Sequence, residues 1–184
     1  MGTSNYFETP AAPENYIYNP SWEVARGILE SWCDLPVAVD IETAPAIEGL
    51  PAKEAKAEAL NPYRNIIIGI AFCGEPGHAI QFSGTALKQN WDNIFEFLRL
   101  HEHQVYQNNL FDRTTFKHKQ IGAMPVIEYD TMMAMHLINS SLPKDLNFLR
   151  SIYTNMPPYK QVYWGGDTKA RKDNSRDCQS CRRT

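Results

Sequence analysis

The chain has 184 residues, 43% of them hydrophobic and 21% charged, with a formal net charge of −3, which describes one ordinary globular domain with enough chain to bury a core. No apolar run approaches the roughly 18 residues that a membrane span needs, and the start Met1-Gly2-Thr3-Ser4-Asn5-Tyr6 lacks the charged and apolar regions of a signal peptide. A cytoplasmic protein with no membrane partner is expected.

Residues 1–20, with Pro10, Pro13 and Pro20 among Asn, Thr and Tyr, read as an irregular lead-in. Ser21 is placed to cap a first helix, with Trp22, Ala25, Ile28, Leu29 and Trp32 at helical spacing. A strand over 36–43 comes next, where Val37, Ala38, Val39 and Ile41 make an apolar run of the kind a buried central strand carries. Residues 44–65 form an insertion whose segment 52–60, rich in Ala, Lys and Glu, has strong helix propensity. Apolar runs at 66–72 and 78–82, separated by Gly74-Glu75-Pro76-Gly77, predict a hairpin.

Further on, Trp91, Ile94, Phe95 and Leu98 share one face of a helix over 88–100. A short strand at 104–107, a helix at 111–120 and another short strand at 126–129 come next. Helices at 131–138 and 144–153 complete the pattern, and Met132, Met133 and Met135 read as core filler. This order predicts an α/β domain over 21–155, a mixed five-stranded sheet flanked by helices. Sites in such sheets form beyond the carboxyl ends of strands.

Residues 156–184 are expected to be a loop and a disordered tail, since 167–184 hold almost no apolar residue. Six basic side chains against two acids in 169–184 could hold phosphates or simply stay solvated. Cys33 and Cys73 read as small buried hydrophobes. Cys178 and Cys181 have zinc-knuckle spacing, but no second Cys/His pair accompanies them, so chance or a weak redox pair is the better reading.

Asp40 and Glu42 interrupt the first strand two residues apart, so both side chains leave one face of it. Two carboxylates so placed repel each other, and a hard divalent cation such as Mg²⁺ or Mn²⁺ removes that penalty. The plain alternative is a solvated turn or a cap on the next element. Asp112 falls in the first turn of the next strand-to-helix unit, where the helix dipole favours a carboxylate whatever its function.

Taken together, Val39-Asp40-Ile41-Glu42-Thr43, Gln107-Asn108-Asn109-Leu110-Phe111-Asp112, Asp130-Thr131-Met132 and Leu142-Pro143-Lys144-Asp145-Leu146 resemble, in order, segments of the DEDD (DnaQ-like) 3′–5′ exonuclease superfamily, in particular the proofreading domain of family A DNA polymerases. The resemblance covers roughly residues 35–155. It implies a ribonuclease H-like fold and two-metal phosphodiester hydrolysis with two Mg²⁺ or Mn²⁺ ions. In that scheme Asp40 bridges both ions, Glu42 holds one and Asp112 the other, directly or through water. Thr43, Asn108 and Phe111 fall at substrate-side positions, Asn108 orienting the strand, while Phe111 is also a natural core residue.

The family's third motif, Y-x-x-x-D or H-x-x-x-x-D, is matched downstream by spacing alone at Tyr163-Trp164-Gly165-Gly166-Asp167. Tyr163 and Asp167 are thus candidates for the water-positioning residue and the fourth carboxylate, although two adjacent glycines make a poor helix interior. His118 and His136 are alternative bases, each also readable as a surface or packing histidine. The expected function is a metal-dependent 3′–5′ exonuclease on single-stranded DNA ends, proofreading alone or beside a separate DNA polymerase. The alternatives are a truncated, catalytically impaired nuclease fold that binds nucleic acid or a partner, and an RNA-directed exonuclease of the same superfamily.

Overall fold

The computed structural model describes residues 15–119 and 129–154. Six strands and seven helices are found there: β1 (Asn15–Tyr18), α1 (Trp22–Ser31), β2 (Val37–Pro45), α2 (Ala52–Ala59), β3 (Asn65–Glu75), β4 (His78–Ser83), α3 (Gly84–Gln89), α4 (Trp91–Leu100), β5 (Gln104–Tyr106), α5 (Asn109–His118), β6 (Tyr129–Asp130), α6 (Thr131–Ile138) and α7 (Leu146–Tyr153). They form one mixed sheet in the order β1-β4-β3-β2-β5-β6. β2, β3 and β4 run antiparallel to their neighbours in that meander, whereas β5 joins β2, β6 joins β5 and β1 joins β4 in parallel.

Alternation along β2 decides what the sheet buries. Val37, Val39 and Ile41 enter the main core with Ile70, Phe72, Ile80, Phe82 and Tyr106. Ala25 and Leu29 of α1, Leu87 of α3, Ile94, Phe95 and Leu98 of α4 and Phe116 of α5 cover that face. Ala38 lies on the other face, in a small cluster with Ala71, Cys73, Ala79 and Tyr16. Fully burying one such large apolar side chain contributes about 1.5–3 kcal/mol, so this lopsided distribution fixes the register of β2, because a one-residue slip would turn the whole set outward.

Three sequence expectations change. The sheet has six strands rather than five, because Asn15–Tyr18, within the stretch expected to be an irregular lead-in, pairs with β4 from Asn15↔His78 to Tyr18↔Gln81. Its aromatic and β-branched side chains suit an edge strand, and the Tyr16 hydroxyl donates to Gln81 Oε1 at 2.6 Å. The neighbouring prolines masked that signal. The single helix over 88–100 is two, α3 and α4, meeting at Asn90, whose Nδ2 donates to the Ala86 carbonyl at 2.8 Å. Such a side-chain bond competes with the helical ladder. Cys33 is exposed in the turn after α1, whereas Cys73 is buried. β6 begins at Tyr129, the last residue of the strand expected at 126–129, whose other residues lie outside the described ones.

One glycine is dictated by close packing. A Cβ on Gly74 would sit 2.4 Å from Cγ and Cδ2 of Trp32, so the β3–β4 turn can lie on the indole only because residue 74 has no side chain. Residues 126–128, the prolines at 10 and 13, Cys178, Cys181 and the basic tail lie outside the described residues. Among the described residues no helix is long and apolar enough to cross a membrane.

Candidate active site

Asp40 and Glu42 are both half-buried on the β2 face opposite Val39 and Ile41. Across the antiparallel ladder Asp40 faces Ala71 and Glu42 faces Gly69. A Cβ on Gly69 would meet the Glu42 Cβ at 3.4 Å, so the absent side chain leaves the Glu42 stem room. The register shifts between Glu42 and Thr43, a bulge of the kind that re-aims side chains at strand ends. Just past it, the Thr43 hydroxyl donates to the Ala59 carbonyl at 2.7 Å and ties the strand end to α2.

On its other edge β2 pairs with β5 at Val37↔Gln104 and Ala38↔Val105. Past Ala38 that ladder ends. The turn into α5 is made by Asn108 at φ 64° and ψ 56°, with no side-chain capping bond; Asn is among the few side chains that tolerate this left-handed region. One helical turn later Asp112, 6% exposed, directs its carboxyl back to the strand. There the nearby backbone N–H groups of Ile41 and of Asp112 itself favour its charged form.

Burial first, and the adjacent Asp40 carboxylate second, push the Asp112 carboxyl up to about 8, with a smaller push from Asp130, while the two amides pull the other way. Tyr106, on the adjoining strand, is raised by burial and then by Asp112, with Arg113 opposing. The structure thus brings Asp112 to Asp40, and Glu42 lies two residues beyond Asp40 on the same face of the strand. Asn108 is half-buried at the turn, and Phe111 packs against the main core. Tyr163 and Asp167 lie outside the described residues. His136 is exposed on α6, and His118, exposed at the far end of α5, stands edge-on to Tyr63 with centroids 5.4 Å apart.

Sequence reasoning gave no role to Asp130, which is 7% exposed at the end of β6. Its carboxylate accepts the amides of Met132 and Met133 at the start of α6 and those of Asn108 and Asn109 at the start of α5. An Asp directly before a helical run signals an N-cap; the contact to a second helix has no local signal. Gln104 was also missed. Its Nε2 donates to the carbonyls of Leu98 and His101, and its Oε1 accepts the Tyr106 hydroxyl at 2.6 Å, which locks β5 to the end of α4.

Could these residues hold a metal? The donors are all carboxylate oxygens, and burial with a nearby acid disfavours the ionised form of Asp112, a penalty that a hard divalent ion would offset. Among the described residues no three His, Cys, Asp or Glu side chains are grouped to enclose one. Mg²⁺ commonly takes one or two carboxylates, keeps several waters and completes its shell with substrate phosphate, so the Asp40–Asp112 pair fits that chemistry.

A mixed sheet with an antiparallel meander and parallel outer strands, flanked by helices, has the ribonuclease H-like fold. Solved structures agree. The catalytic core of RRP6 from Trypanosoma brucei superposes with a TM-score of 0.57 at 12% identity, over 88% of this chain and 40% of that one. A nuclease solved in its apo form gives 0.53 at 17% identity, over 78% of this chain and 61% of that one. The Aedes aegypti Nibbler EXO domain gives 0.51 at 11% identity, over 95% of this chain and 82% of that one. The chain therefore spans about three fifths or less of the length of the first two. No protein-family model and no curated protein matches the chain by sequence.

Proposed function

We propose that the protein is a metal-dependent 3′–5′ exonuclease that hydrolyses phosphodiesters at single-stranded nucleic-acid 3′ ends. The observation that carries this reading is the buried Asp112 carboxyl, near enough to Asp40 at the end of the central strand to be raised by its charge. An acid pair so placed raises the energy of the ion-free site, and the donors present are those a hard divalent cation takes. The motif resemblance points to DNA first, and to proofreading beside a separate polymerase.

Asp40, Glu42 and Asp112 would hold the cations, which when bound stabilise the attacking and leaving oxygens of an in-line displacement. The chain's own residues set the rest. The Ile41 amide favours the charged form of Asp112, and the Asn108 turn sets where α5 begins. Asn108 would bind the terminal nucleotide. In the reaction a water oxygen bonds to phosphorus as the bond to the 3′ oxygen breaks. Tyr163 is the candidate to position that water, whose proton passes to solvent while the departing 3′ oxygen takes up a proton. The products are a 5′ mononucleotide and a chain shorter by one, with Asp167 proposed as the fourth carboxylate.

The test is digestion of 5′-labelled DNA and RNA oligonucleotides with Mg²⁺ or Mn²⁺. A one-nucleotide ladder that disappears in Asp40→Ala and Asp112→Ala is expected. Binding without cleavage by the wild type, or equal ladders from Asp40→Ala, would replace this reading with that of a nucleic-acid-binding module.

A further inference from the structure

A helix cap needs one or two amides, yet Asp130 receives four. Met132 and Met133 donate to its Oδ1 at 2.8 and 3.1 Å, which caps α6. Asn108 donates to the same oxygen at 3.3 Å, and Asn109 donates to Oδ2 at 2.7 Å. These last two belong to the start of α5, whose first amides have no partners within their own helix and whose capping residue supplies no side-chain bond. One buried carboxylate therefore serves the positive ends of two helices at once.

We propose that Asp130 is a positioning residue that clamps the first turn of α5 to the end of β6 and so holds Asp112 beside Asp40. Its kinetic consequence rests on the nuclease reading above. The neighbourhood is built for this. The Thr131 hydroxyl reaches the Tyr106 carbonyl at 3.3 Å and also meets Gln107 Oε1, while Gln107 Nε2 donates to the Lys144 carbonyl at 2.8 Å. The ends of β5 and β6 are thus stitched together around the same turn. Asn109 and Asp112 are one helical turn apart, so a displaced Asn109 draws the Asp112 carboxyl away from the Ile41 amide.

If Asp130 only capped α6, serine would replace it well, since Ser and Asp are comparable N-caps. A single short hydroxyl, however, cannot reach both helices. In Asp130→Ser, amide hydrogen exchange at Asn108 and Asn109 should quicken at least about tenfold while Met132 and Met133 keep their protection. On a labelled oligonucleotide with Mn²⁺, kcat should fall about 10–100-fold, the range for outer-shell partners of metal ligands, with KM nearly unchanged.

Unchanged exchange at Asn108 and Asn109, equal acceleration at all four amides, or wild-type kcat would overturn the proposal. Should Asp130→Ser fail to fold, Asp130→Asn carries the same comparison, because its one carbonyl oxygen still caps α6 while its NH₂ faces the Asn109 amide. A wild type that cleaves nothing removes the nuclease reading, and the exchange comparison then decides the positioning alone.

Discussion

Replacing Asp112 by Asn should make the cation-free protein more stable at neutral pH. In the unfolded chain an Asp titrates near 3.9, whereas in the fold this carboxyl is pushed up to about 8. Its folded affinity for the proton is raised, so the folded state binds the extra proton throughout the interval. The sign comes from linkage: the contribution is fully present below the unfolded midpoint and is lost as pH rises towards the folded one. One proton of difference is worth about 1.4 kcal/mol per pH unit, so going from pH 5 to pH 7 removes about 3 kcal/mol. For a chain of this size that is a fall in Tm of about 5–10 °C.

The assay is thermal unfolding in EDTA at pH 5, 6 and 7 for wild type and Asp112→Asn. Subtracting the two curves cancels the histidines that titrate in the same range. The difference should grow steadily with pH in favour of the Asn variant. Mg²⁺ or Mn²⁺ added at pH 7 should raise the wild-type Tm and leave Asp112→Asn nearly unmoved. Parallel pH profiles for the two proteins would refute the idea that Asp112 is a buried acid facing Asp40.

The other expectations concern neighbouring groups. Asp40→Ala should flatten the same pH dependence, since it removes the second-largest cause of the Asp112 shift, and should abolish cleavage; a pH slope equal to wild type counts against the pairing. Gly74→Ala should lower the unfolding free energy by about 1–3 kcal/mol through forced contact with Trp32, measured by equilibrium urea denaturation, and a neutral result would show that the turn can move aside. Tyr106→Phe should cost about 1–3 kcal/mol, because Gln104 Oε1 loses the hydroxyl donating to it at 2.6 Å inside the core; an unchanged midpoint would mean that another donor replaces it.

What the sequence disclosed was whatever is written locally. The alternation of Val37, Val39 and Ile41 with Asp40 and Glu42 announces both the central strand and the shared face of its acids. Ser21 accepts the Val24 amide as the cap expected for α1. The hairpin at residues 74–77 joins β3 to β4 much as its glycines indicate. Non-local facts were hidden. β1 depends on partners more than sixty residues away, Tyr16 on Gln81 and Tyr18 on Ser83, and no periodicity inside four residues can declare that. The break at Asn90 comes from a side chain competing with the backbone within a run whose apolar spacing reads as unbroken. Asp130 illustrates both cases, since its bond to Met133 is local and its bond to Asn109 is not.

Asp112 and Asp130 are buried to nearly the same extent, 6% and 7% exposed, so burial alone does not separate a structural acid from a functional one. Donors do. Asp130 receives four amides from two helix starts, where its negative charge is already matched by the fold. No comparable set of amide donors is seen on Asp112, whose ionised form is disfavoured by burial and by the charge of Asp40. A carboxylate with a full set of donors has no use for a cation, while one pressed against a second carboxylate gains from it directly. The dipoles of α5 and α6 thus meet the acid at the end of β6, and under the proposed function the acid beside β2 is the one a cation would stabilise.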